Sequence, residues 1–200
     1  MNPLSVAGPY VILAVYGGLG SRLASRLDSV YPRLPVRLGL VGLAAGAIFL
    51  CEVALEYIVL PADNSMWGIV EYGGVFLLIF TGSLIAAARA GQFRQGVVAG
   101  FGIALVASLM FISIILAFFY AFRGTPRQAQ VFQAEGNYAD YAHSGAQDFN
   151  IFIMEDFFGA VFFHSILLPL VGALLGALGG FAGKGLARLT GRMHIKVVDS

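Results

Sequence analysis

The chain has 200 residues, 58% of them apolar and only 12% charged, with a mean hydropathy of +0.83. Soluble domains carry about 25% charged residues, so this composition excludes an ordinary soluble fold and points to one all-α, polytopic membrane helix bundle. Cys51 is the only cysteine, which excludes intramolecular disulfides and zinc sites of the paired-cysteine kind; no basic cluster interleaved with aromatics suggests nucleic-acid binding.

Residues 3–20 carry no charge, yet Pro3, Pro9 and four glycines dilute them. No basic residues precede this stretch, so a cleaved signal peptide is not expected. Leu19, Leu23 and Leu27 then recur every fourth position while Arg22 and Arg26 occupy another face, the pattern of a helix end lying at the lipid interface. Residues 9–31 are therefore expected to form one half-embedded N-terminal helix, a fifth crossing being the alternative.

Pro32 and Pro35 interrupt the chain, and residues 36–60 form the first firm span, closed by Pro61. The short connector 61–67 makes the second span, 68–88, antiparallel to the first, with Trp67 suited to the headgroup boundary. A third span covers residues 97–122. In the loop 123–156, Thr125-Pro126-Arg127-Gln128 reads as an N-cap, a proline at the first helical position and a glutamine at the third, predicting a short helix to about Ala134. Ser144-x-x-Gln147 repeats the capping pattern and predicts that the last helix begins near Ser144. Residues 157–183 are 27 positions without Asp, Glu, Lys or Arg. At about 1.5 Å per residue they exceed a hydrocarbon layer of about 30 Å and form the fourth span. The tail 184–200 follows with Lys184, Arg188, Arg192 and Lys196 at four-residue spacing.

Ten of the twelve Lys/Arg fall in segments 21–37, 89–94 and 184–196; the loop 123–156 has only Arg123 and Arg127. Positive charge marks the cytoplasmic side, so the loop is expected outside and the C-terminus inside, in a cytoplasmic membrane of the prokaryotic kind.

This topology gives the ionisable residues within the spans a common depth. Glu52 and Glu56 lie about 12 and 6 Å below the outer end of their span, Glu71 about 5–6 Å and His164 about 10 Å below theirs. Glu52 and Glu56 share a helix face, and carboxylates facing lipid are costly, at about 2.5–3.5 kcal/mol for a charge at mid-bilayer. All four are expected to face inward, with Glu155 and Asp156 at the rim. Pro169 leaves the Ser165 carbonyl without its helical donor, one residue from His164. The other half is built differently: Gly39, Gly42, Gly46, Gly96, Gly100, Gly172, Gly176 and Gly180 predict close packing there, with Gly179 and Gly183 on an adjoining face. A closed base and an open acidic mouth result.

Two function classes follow. The glycine faces point to a structural or accessory subunit that packs against a second copy or a membrane-complex partner; it needs no cofactor, and its one certain partner is the lipid bilayer. The acidic mouth points to a proton- or cation-handling transporter or channel, binding through Glu52, Glu56, Glu71, His164, Glu155 and Asp156. The plain alternative for these carboxyls is that Tyr57, Tyr72, Ser113 or Arg123 satisfies them and they only fix helix register. A bis-histidine haem lacks its second histidine, since His143 and His194 lie outside the spans. Di-metal helix-bundle sites need Glu-x-x-His pairs, which are missing, and no phosphate loop, nucleophile elbow or zinc-protease motif appears.

Overall fold

Apolar runs in this chain can satisfy their backbone groups within lipid only as helices, and helices form wherever such runs occur. The computed structural model describes residues 3–30, 33–59 and 65–190. Among these there is no strand, and the order is α1 (Pro3–Val30), α2 (Leu34–Ala54, continued by a π-helical turn at Leu55–Val59), α3 (Ser65–Ala90), α4 (Phe93–Ala121), α5 (Pro126–Ala134), α6 (Asn137–Ser144) and α7 (Phe149–Leu189). Four helices, α2 with its π turn, α3, α4 and α7, are long and apolar enough to cross a membrane. The protein is an all-α membrane bundle. Pro61 and most of its connector, Arg192, Lys196 and the side chains of Leu23, Arg26 and Leu27 lie outside the described residues.

Helix α4 is the axis of the bundle, touching α1, α2, α3 and α7. Two small-residue seams bring α7 against α4 and α3. A methyl added at Gly96 would run into Gly180, and one at Gly100 would meet the Gly172 carbonyl and lie 2.6 Å from Gly176 Cα. Gly176 closes on the Gly96 carbonyl and Gly180 on the Phe93 carbonyl in the same way. On the next face of α7, Gly179 rests on the Phe80 carbonyl of α3 and Gly183 on that of Leu84. Gly42 and Gly46 of α2 receive Val106 and Met110 of α4. Gly39 departs from the expectation of tight packing, for nothing lies within 4 Å of where its Cβ would be. Towards the loop end the small residues give way to large ones, with Phe49, Val75, Ile79, Phe111 and Leu168 in one core.

Helix α1 is continuous through Pro9 and touches both α4 and α7, with Gly8 against Phe158 of α7 and Gly20 near Leu105 of α4. The carbonyl that Pro169 releases on Ser165 accepts the Tyr16 hydroxyl of α1. It is therefore used to fasten α1 to α7 and is not an open acceptor beside His164.

In the loop, Thr125 caps α5 by accepting from Gln128 N at 3.3 Å, and α5 ends at Ala134. Gln128 serves the cap differently from a simple capping box, accepting from Gly124 N at 2.9 Å and donating to the Phe119 carbonyl at 3.3 Å. The expected helix start at Ser144 is overturned. Ser144 ends the extra helix α6, because Gly145 turns left-handed at φ 72°, and Asp148 caps α7 by accepting from Asn150 N and Ile151 N. Phe132, Phe149, Phe152, Tyr138 and Tyr141 stack between α5, α6 and the start of α7, so the loop folds down over the bundle.

Candidate functional site

Under this loop lies a cavity of about 250 Å³ lined by Glu52, Glu56, Glu135, Asn137, Asp156 and His164, with Tyr57, Tyr72, Phe111 and Phe157 in its walls. Helix α2 supplies Glu52 and Glu56 one turn apart, the α5–α6 junction supplies Glu135 and Asn137, and α7 supplies Asp156 and His164. No lysine or arginine is among the lining residues. Four carboxyls and one imidazole thus face a single space.

Glu71 does not line this cavity. It is 4% exposed, and neither carboxylate oxygen has a hydrogen-bond donor. Its carboxyl lies within hydrogen-bond reach of that of Glu52. Two ionised carboxylates can only accept, so that contact becomes a hydrogen bond only with a proton between them. Glu155, expected at the rim, is exposed and does not line the cavity, whereas its neighbour Asp156 does.

His164 is held from both ring nitrogens. Nδ1 is 2.8 Å from the Ala160 carbonyl, one turn back in α7, and Nε2 is 2.7 Å from the Tyr72 hydroxyl of α3. The ring packs on Phe111 at 4.2 Å between centroids. Of the donors considered for the carboxyls, Tyr72 is thus engaged with His164, Ser113 donates to the Leu109 carbonyl of its own helix, and Arg123 lines a different cavity with Thr125 and Asn150.

Arg127 fixes the roof. Its Nε donates to the Tyr57 carbonyl at 2.6 Å and its Nη2 to the Ile58 carbonyl, both in the π turn that ends α2. Helix ends leave carbonyls without partners, and a guanidinium serves two at once. This clamp carries α5, and with it Glu135, to the cavity.

Sequence reasoning missed Glu135 and Asn137. Their placement depends on the reversal at Gly136, at φ 81°, which no spacing rule anticipates; the only available signal was the aromatic loop expected to lie over the mouth. Glu135 is exposed as a residue, but partial loss of water around its carboxyl at the cavity pushes its pKa above 4.5, the hydrogen bond from Asn137 opposes this, and Asp156 and Glu52 add to the rise. In that hydrogen bond Asn137 Nδ2 donates to Glu135 Oε2 at 3.0 Å.

Among the described residues no three His, Cys, Asp or Glu side chains are arranged to hold a metal ion. His143 is exposed on α6, with Nδ1 2.7 Å from the Ala139 carbonyl, far along the chain from His164. Comparison of the chain with family models, curated proteins and solved structures finds no match.

Proposed function

We propose that the protein handles protons, or a small cation in their place, through an acidic vestibule that opens at the loop end and leads to the Glu52–Glu71 pair. One observation carries this reading: Glu71 is buried with both oxygens unserved, beside Glu52, which lines an acidic cavity. A carboxyl whose only role is to fix helix register would be expected to have a donor, since a buried acceptor left unmade costs about 1–3 kcal/mol. Glu71 in contact with Glu52 instead has the chemistry of a pair that shares, gains and loses a proton. His164 and Tyr72, in the same wall, offer a second carrier. On this reading the loop faces outside and the basic segments inside, following the distribution of Lys/Arg.

The glycine seams limit what the vestibule does at rest, because the packed half below it has no room between α4 and α7. Transfer across the membrane then needs either a loosening of that seam or a route on the α2–α3 side of the bundle. The same seams weaken the accessory-subunit reading. Gly42, Gly46, Gly96, Gly100, Gly172, Gly176 and Gly180 are all occupied within the chain, so they present no free face to a partner.

The test is proton flux in vesicles containing the full chain, followed by an enclosed pH dye. Wild type is expected to dissipate an imposed pH gradient, and Glu52→Gln and Glu71→Gln are each expected to slow it about a hundredfold or more, the scale of losing a positioned proton-transfer group. Equal flux in wild type and both variants would remove the proposal.

A further inference from the structure

At the opposite, basic end a cleft of about 490 Å³ opens between α2 and α3 and is floored by the start of α4. Its walls are aliphatic, from Leu38 and Val41 on one side to Ile85 and Ala86 on the other. Three polar side chains line it, Arg37, Arg89 and Gln95, and no carboxylate does. The arginines are exposed. Gln95 is the opposite, 8% exposed, and its Oε1 has no hydrogen-bond donor. Native structures rarely leave such an acceptor unserved.

Arginines near a membrane surface attract anionic lipid in many proteins and by themselves specify nothing. Here they flank an apolar cleft that contains an acceptor lacking a donor. The occupant with matching chemistry has an anion for Arg37 and Arg89, a donor of its own for Gln95, and an apolar chain for the walls. From Arg89 to Gly82 the α3 wall runs about 10 Å, enough for the upper part of one acyl chain. The volume lies within the range of about 300–1,000 Å³ usual for ligand sites.

We propose that this cleft holds one anionic phospholipid of the surrounding bilayer. Its phosphodiester sits between Arg37 and Arg89, a headgroup hydroxyl donates to Gln95 Oε1, and one chain lies along Val41 and Ile85. Occupancy would tie α2 to α3 at the end where the two are splayed. The assignment is independent of any role for the acidic vestibule.

The experiment is native mass spectrometry of the full chain in detergent with equal amounts of three lipids of matched chains. These are phosphatidylglycerol, phosphatidylmethanol, which keeps the phosphodiester but lacks a headgroup hydroxyl, and phosphatidylcholine. Retention is expected to fall in that order, with phosphatidylglycerol about tenfold over phosphatidylcholine. Arg37→Gln with Arg89→Gln should bring phosphatidylglycerol down to the phosphatidylcholine level. Gln95→Leu should bring it down only to the phosphatidylmethanol level, and Arg188→Gln, an exposed basic residue away from the cleft, should change nothing. Equal retention of phosphatidylglycerol and phosphatidylcholine overturns the proposal, as does a loss in Arg188→Gln equal to that of the arginine pair, which would mean diffuse surface charge. Equal retention of phosphatidylglycerol and phosphatidylmethanol overturns the role of Gln95 and with it the built site. Displacement of the lipid by millimolar glycerol phosphate would assign the cleft to a free phosphate and overturn the lipid. Should the arginine variant not fold, thermal unfolding of wild type decides: a rise with phosphatidylglycerol alone supports the site, and an equal rise with phosphatidylcholine overturns it.

Discussion

Tyr72 and His164 join α3 to α7 through a hydrogen bond of 2.7 Å between the phenol oxygen and Nε2. On the far side of the ring the Ala160 carbonyl, 2.8 Å from Nδ1, can only accept. Nδ1 therefore carries a proton, and in the neutral ring Nε2 accepts from the Tyr72 hydroxyl. For Nε2 to take up a proton, that hydroxyl must turn and become the acceptor. The pair is thus both a fastener and a switchable donor.

Tyr72→Phe separates these roles. Nitrogen NMR of wild type should give the Nδ1-protonated tautomer for His164, and the variant should lose the hydrogen-bond signature at Nε2. Stability should fall by about 1 kcal/mol, the usual net value of one such bond. An unchanged Nε2 resonance would mean that Tyr72 is not its partner.

Glu71 offers a case where replacing a carboxyl by an amide should stabilise the protein. Both of its oxygens are buried without a donor, and the Glu52 carboxyl is within reach. In Glu71→Gln the new amide can donate to Glu52, so thermal unfolding should show a gain of about 1 kcal/mol while proton flux falls. A loss of stability of similar size would show that Glu71 has a donor in the wild type.

The extent to which these features could be read beforehand follows their range along the chain. The spans were legible because lipid leaves an apolar run no other structure, and Glu52 with Glu56 because one helical turn separates them. The match of Gly96 and Gly100 to Gly172, Gly176 and Gly180 was legible as a spacing, while the partner helix was not. Contacts made by a single long side chain were hidden: Arg127 reaching the end of α2, and Tyr16 taking the Ser165 carbonyl. The false helix start at Ser144 arose because a capping pattern has little weight against a left-handed Gly145 and a better cap at Asp148.

Glu135 makes a pH dependence testable outside the spans. Its folded-state pKa is raised above 4.5, first by loss of water around the carboxyl, so below that value the folded and unfolded forms are both protonated and nothing is lost. As pH rises through the elevated folded value, the unfolded state gains more from ionisation, and stability declines. Glu135→Gln should therefore unfold at higher temperature than wild type at neutral pH and show no advantage near pH 4. An advantage confined to acid would reverse the sign and refute the crowding of Glu135 in this cavity.

Arg127 holds the roof by its bonds to Tyr57 and Ile58. Arg127→Ala leaves those carbonyls at the end of α2 unserved and should cost about 1.5–3 kcal/mol, the range for hydrogen bonds from a charged donor. The loss should be local. Hydrogen exchange is expected to quicken over residues 126–144 and to stay slow in α4, and Arg127→Lys should restore only part of the protection because an ammonium lacks the planar fork. Protection that is unchanged over residues 126–144 would mean that the aromatic stack holds the loop without the arginine.

The seam between α4 and α7 should tolerate almost nothing. At Gly100 an added methyl would strike the Gly172 carbonyl and approach Gly176 Cα to 2.6 Å, and both are backbone, so no side chain can turn aside to make room. Gly100→Ala must push the helices apart, which in a packed core costs about 1–3 kcal/mol, and Gly100→Leu should prevent stable folding in detergent. Gly159 on α7 is the control, since nothing lies within 4 Å of its missing Cβ. Gly159→Ala should hold or raise stability, alanine being the better helix former by about 1 kcal/mol. If thermal unfolding ranked Gly100→Ala equal to Gly159→Ala, the two helices would not be in backbone contact, and the closed half of the bundle would have to be redrawn.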